Sequence, residues 1–182
     1  MKENPPKLSA VGSQPEPWLR GTFTEIPAEQ RAVLHALELA REDIARWCGR
    51  LSDEEFHAHP YGLPSVATQM RHIAGSLARL LTYAEGNLLN EQQMRELAAE
   101  ATPEGSKHEL LAEFERGLDA AAARVRSIPL SEWREPRGVG RKKLPTTVAG
   151  LLIHCADHTQ RHVGQAITTT KILLALRGNS LA

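Results

Sequence analysis

Four segments of this chain repeat apolar residues at alternating steps of three and four, and that periodicity restricts the fold more than any other feature of the sequence. Val33, Leu37, Ala40, Ile44, Trp47 and Leu51 form the first stripe, behind Pro27 and Glu29 at a helix start. Val66, Met70, Ile73, Leu77, Leu80 and Ala84 form the second, with Ser65 as its N-cap and Gly86-Asn87 at its end. Leu111, Phe114, Leu118, Ala121, Val125 and Ile128 form the third, between Ser106 and Pro129. The fourth starts after Pro145, capped by Thr146 or Thr147. It runs through Val148, Leu152, Cys155, Thr159, His162, Ala166, Thr169, Leu173 and Leu176 to Gly178. Residues spaced in this way share one side of an α-helix and need a partner to bury them. Period-two alternation is almost absent. The expectation is an all-α domain, with helices of about 20 to 30 residues packed as a four-helix bundle.

The connections refine that expectation. Residues 87–105 and 129–145 are long enough to permit a crossover topology, and "LNEQQMRELAAE" within the first offers a short additional helix. "EEFHAHPYG" reads as a turn and "RGVGRKK" (137–143) as a basic loop. Prolines at 5, 6, 15 and 17 prevent a helix at the start, so residues 1–17 are expected as an extended arm and 18–182 as one domain.

Charge and composition exclude several functions. The 22 basic and 22 acidic residues balance, which argues against a nucleic-acid partner. No apolar run approaches the roughly 18 residues of a membrane span, and the first residues lack the apolar core of a signal peptide. Cys48 and Cys155 lie far apart and form no disulfide framework, so a cytoplasmic location is the expectation.

The chemistry concentrates in "HCADHTQRHVGQ" (154–165), where histidines recur every fourth residue. With Val148 as the zero of direction and about 100° per residue, His162 lies near −40°, His158 near −80° and His154 near −120°. This places His162 in the core, His158 beside it and His154 at the periphery. Two imidazoles four residues apart can converge on one divalent ion. His72, within the second helix, is the candidate third ligand, because bundle metal sites draw side chains from facing helices. The shared pattern V-A-x4-H-x-A places His72 and His154 equally far from their helix starts. Cys155 is an alternative ligand; Asp157 and Gln165 are candidates to support the imidazoles. His35, His57, His59 and His108 read as ordinary. Three imidazoles suit Zn, Ni or Fe, and three protein ligands leave an open position.

With these residues in view, "SVATQMRHIAGSLARLLTYAEG" (65–86), "HCADHTQRHVGQAITTTKIL" (154–173) and "EPWLRGTFTEIPAEQRAVLHALELAREDI" (16–44) resemble the DinB-like proteins of the DinB/YfiT-like superfamily. The resemblance spans about residues 16–176. It implies a bundle of up-down-down-up topology holding a divalent metal through three histidines. By motif these are His72 of "RHIAGS" and His158 and His162 of "HTQRHVGQ"; His154 stands outside the triad. It also implies a small-molecule substrate, frequent homodimers, and thiol-dependent S-transfer with bacillithiol, mycothiol or glutathione. Gln69, Arg161 and Gln165 are then candidate pocket groups, and Arg71 or Arg141 candidate contacts for an anionic thiol. Metal-assisted hydrolysis, with Asp157 as a poorly directed base, and a non-catalytic, stress-associated metal-binding role are the alternatives.

Overall fold

A computed structural model describes residues 14–179. The arm expected over residues 1–17 therefore lies almost wholly outside the described residues, as do the last three residues of the expected domain. Residues 14–16 have no regular structure, and Pro17–Leu19 form a single 3-10 turn with Pro17 buried.

The structure is mainly helical. Four long helices carry the four stripes: α1 (Ala28–Cys48), α3 (Val66–Ala84), α5 (Lys107–Ser127) and α6 (Val148–Asn179). Two short ones, α2 (Asp53–His57) and α4 (Glu91–Ala99), lie in the connections. The starts follow from local hydrogen bonding. Ser65 Oγ accepts from the Thr68 amide, and Thr147 Oγ1 accepts from the Gly150 amide, so Thr147 is the cap of α6. Ser106 with Glu109, and Asn90 with Gln93, close reciprocal capping boxes on α5 and α4. Ser52 and Glu55 do the same for α2, where the sequence suggested only a turn. Five residues show too little of a helical period for that signal to be read.

The long helices form a closed circuit, because α3 packs on α5 and α6 while α1 packs on α6 and α5. Side-chain contacts give their directions. Gln160 Nε2 donates to the Ala36 carbonyl, and Cys48 Sγ lies 3.3 Å from Thr170 Oγ1, so α1 and α6 run the same way. Arg71 reaches Glu113, and Arg124 reaches Glu85, so α3 and α5 also run together. Thr169 donates to the Pro64 carbonyl while His158 faces His72, so α3 and α6 are antiparallel. Lys107 Nζ donates to the Gly49 carbonyl, which sets α5 against α1.

The core follows the stripes with local departures. Phe114, Leu118, Val125, Met70, Ile73, Leu77, Ile44 and Leu152 are buried as expected. Leu110 rather than Leu111 is the fully buried residue of the first turn of α5. The first helix stops at Cys48, yet Leu51 stays buried in the turn beyond it. Gln30 donates its amide to the Val125 and Ile128 carbonyls, satisfying α5 acceptors that have no helical partner.

Residues 129–145 differ most from expectation. The basic stretch is part of an antiparallel hairpin, β1 (Pro136–Val139) with β2 (Leu144–Thr147). Four-residue strands are too short to show alternation, and the turn is made by Gly140 (φ 70°) and Lys143 (φ 48°). Among the described residues no helix is long and apolar enough to cross a membrane.

Cys48 (0 % exposed) and Cys155 (1 % exposed) are both free thiols in the core. Burial pushes Cys48 up to about 11 and Cys155 up to about 12, so neither is a thiolate at neutral pH. Iodoacetamide at pH 8 is expected to label neither cysteine in the native protein and both after denaturation. Rapid native labelling, read by intact mass, would show a core that opens easily.

Candidate metal centre

The antiparallel crossing of α3 and α6 builds the site. Along this pair, Gln69 meets His162 and His72 meets His158. Antiparallel packing also explains why the shared V-A-x4-H-x-A pattern does not mark a shared site. Equal distances from the two helix starts are offset along the pair, which leaves His154 a turn beyond the residue that meets His72. His72 accordingly meets His158 and His162 rather than His154.

One nitrogen from each of His72, His158 and His162 lies within 4.8 Å of the others, a group that could hold a metal ion. His158 Nε2 is 3.4 Å from His72 Nε2 and 3.3 Å from His162 Nε2. Nitrogens about 2.05 Å from a tetrahedral ion stand about 3.3 Å apart, so the observed separations fit zinc-like coordination. The far side of two rings fixes the tautomer. His72 Nδ1 lies 2.8 Å from Glu100 Oε2, and His162 Nδ1 lies 2.7 Å from Gln69 Oε1. Both oxygens accept, so each Nδ1 carries a hydrogen and Nε2 is the nitrogen turned toward the shared space.

The electrostatics agree. Burial, followed by repulsion from the His162, His72 and His154 imidazolium forms, pulls His158 down to about 4. Burial and the neighbouring His72 also lower His162. Both rings are therefore neutral near pH 7, the form that ligates. Burial opposes the charge on Glu100, but hydrogen bonds from His72 and Arg79 outweigh it and hold the carboxyl below its usual range. The Glu100 side chain is only 9 % exposed, and Arg79 binds its other oxygen. Gly75 makes this approach possible. A Cβ there would collide with Glu100 Oε1 and come within 2.8 Å of Arg79 Nη1.

Several sequence expectations are corrected in detail. His162 is half-buried rather than in the core; Thr159, Val163 and Ala166 occupy the innermost face of α6. His162 thus lines a cleft wall, and His158 is likewise half-buried. Cys155 is packed in the core and stands outside the nitrogen cluster. Asp157 is exposed and paired with Arg161 at 2.7 Å; its nearest imidazole is that of His154, at 3.7 Å. The carboxylate that supports a clustered histidine is Glu100, which the sequence did not single out. It lies in the long 87–105 connection, where no periodicity points to it; the length of that connection was the available signal. Arg71 is tied to Glu113 and lines a different cleft, and Arg141 is exposed beside the hairpin turn. His35, His57 and His59 find Thr22, Gly105 and Leu63 as hydrogen-bond partners, as ordinary histidines do.

His154 touches the edge of the cluster, its ring centroid 5.2 Å from that of His158, but it is not among the three. The open side of the cluster faces a cleft of about 360 Å³, lined by His72, His162, Thr68, Leu97, Glu100 and Gln165 among others. Three convergent imidazoles, two of them held from behind, beside a cleft of this size can bind a divalent ion and leave room for a small molecule.

A family model described as the DinB superfamily matches residues 36–166, a span that contains all three histidines. No curated protein matches the chain.

Proposed function

Because the chain belongs to the DinB superfamily, we propose that it is a divalent-metal-dependent enzyme whose ligands are His72, His158 and His162. The reaction we assign is S-transfer from a low-molecular-weight thiol of the bacillithiol, mycothiol or glutathione type to a small electrophile, with Zn, Ni or Fe as the metal. One observation carries the metal reading: three imidazole nitrogens converge while Glu100 and Gln69 hold two of the rings from behind. The helix directions support the up-down-down-up four-helix bundle that the family resemblance implies. A homodimer and a cytoplasmic location belong to the same proposal.

A divalent ion in this site supplies a Lewis acid that favours the anionic form of an incoming thiol. The chain does the rest. Glu100 and Gln69 keep the Nδ1 hydrogens of His72 and His162 on the outer side, so the inner nitrogens stay free for coordination. Arg79 prevents Glu100 from taking the proton of His72 by stabilising the carboxylate. Gln165 and Thr68 offer polar contacts in the cleft, and Leu97 and Ala101 add apolar lining. Asp157, the candidate base for the hydrolytic alternative, is exposed and held by Arg161, which counts against it.

The test is thiol consumption with a panel of alkyl halides and epoxides. The thiolate sulfur attacks carbon and the thiol proton passes to solvent; a halide leaves as the anion, whereas an epoxide C–O bond opens to an alkoxide that stays on the product and takes a proton from solvent. The metal-loaded protein is expected to consume at least one of the three thiols faster than the chelated protein does. Equal rates for all three thiols would overturn the S-transfer assignment and leave the metal assignment standing.

A further inference from the structure

A second groove, of about 330 Å³, adjoins the histidine cleft; Pro64, Gln69 and Gln165 line both. Its remaining lining includes Leu63, Arg161, Gly164 and Thr168. Gly164 lies well inside α6, where glycine weakens a helix relative to alanine. Packing does not require it: a Cβ at this position meets no atom within 4 Å. Gly75 and Gly117, by contrast, each face a close neighbour that a methyl group would strike. What Gly164 provides is open space on the groove floor. The one cation in the lining, Arg161, is already paired with Asp157, and the walls offer Leu63 and Pro64 with the Gln165 amide. A polyanion finds no free counter-charge there, whereas an extended apolar arm finds a floor, walls and an amide.

We propose that this groove is the specificity subsite of the centre. It takes an uncharged acyl- or alkyl-chain arm of the substrate, laid across Gly164, while the reacting end lies at the three histidines. The position of the reacting end rests on the metal reading above; the groove's preference for an apolar chain does not.

The full chain is titrated with saturated hydroxamic acids of two to eight carbons, with and without zinc, and followed by amide NMR. The longer members are expected to shift the Gly164, Gln165 and Thr168 amides in both states. Affinity is expected to rise about threefold per methylene until the groove is filled. Gly164→Leu is expected to abolish that dependence while leaving acetohydroxamate unchanged. Gly164→Ala is expected to raise the melting temperature, which shows that the position tolerates a side chain. If long chains gain nothing over acetohydroxamate, or Gly164→Leu keeps the full dependence, the groove proposal is overturned. It is equally overturned if Gly164→Ala lowers the melting temperature, or if Gly164→Leu changes the state of assembly instead of chain binding. Chain dependence without any effect of zinc on acetohydroxamate supports the groove and counts against the three-histidine reading instead.

Discussion

Replacing His158 by alanine is expected to abolish stoichiometric metal binding in a chain that otherwise carries close to one divalent ion. His158 is the middle member of the set: its Nε2 is the atom within 3.4 Å of one partner nitrogen and 3.3 Å of the other. Without it, His72 on α3 and His162 on α6 remain as two ligands on different helices. Loss of an indirect support typically weakens a metal 10- to 100-fold, so loss of a direct ligand is expected to exceed about a hundredfold. The fold should tolerate the change, because His158 is only half-buried and its neutral ring makes no hydrogen bond to the core. Two measurements check this together. Elemental mass spectrometry on untagged protein should find metal in the wild type and little in His158→Ala. Thermal unfolding should show zinc stabilising the wild type by about 2.7 kcal/mol at a hundredfold excess over Kd, with no shift in the variant. A variant that keeps its metal would show that other groups hold the ion.

The sequence disclosed the three histidines and the four long helices because both depend on the same helical period. An HxxxH pair is visible wherever a helix is visible, and the "RHIAGS" segment supplied the third histidine. What the sequence concealed depends on tertiary contacts. The half-burial of His162 could not be read from a stripe, since α6 packs against two helices and its buried face extends to Val163 and Thr170. Asp157 is a candidate support only by nearness in sequence, and it turns outward to Arg161. Glu100 does that work from 28 residues away, on a connection whose helix has no fully buried side chain of its own. The hairpin is hidden for a related reason: its four-residue strands pair through backbone groups and leave no residue pattern to detect.

That concealed carboxylate yields the second large effect. Glu100→Ala is expected to weaken zinc 10- to 100-fold, because His72 then loses the partner that fixes its tautomer and angle. The same change strands Arg79, whose side chain is 11 % exposed, and breaking a buried ion pair costs about 3 kcal/mol or more. Loss of metal in this variant alone would therefore not separate orientation from local unfolding. Gly75→Ala separates them. It keeps both charges, and on an α-helix alanine is favoured over glycine by about 1 kcal/mol. Its methyl group nevertheless occupies the space of the Glu100 carboxylate. Gly75→Ala should thus show an intact helical spectrum, a cooperative thermal transition and zinc affinity reduced at least about tenfold. Glu100→Gln, which retains an acceptor without charge, should fall between wild type and Glu100→Ala. Zinc competition against a chromophoric chelator gives all four affinities on one scale. If Gly75→Ala and Glu100→Gln both bind like wild type, Glu100 only ties the 87–105 connection to α3. If both weaken zinc, metal binding and the docking of α4 are coupled through one carboxylate, and amides of Glu91–Ala99 should exchange more slowly in the zinc-loaded protein than in the chelated one.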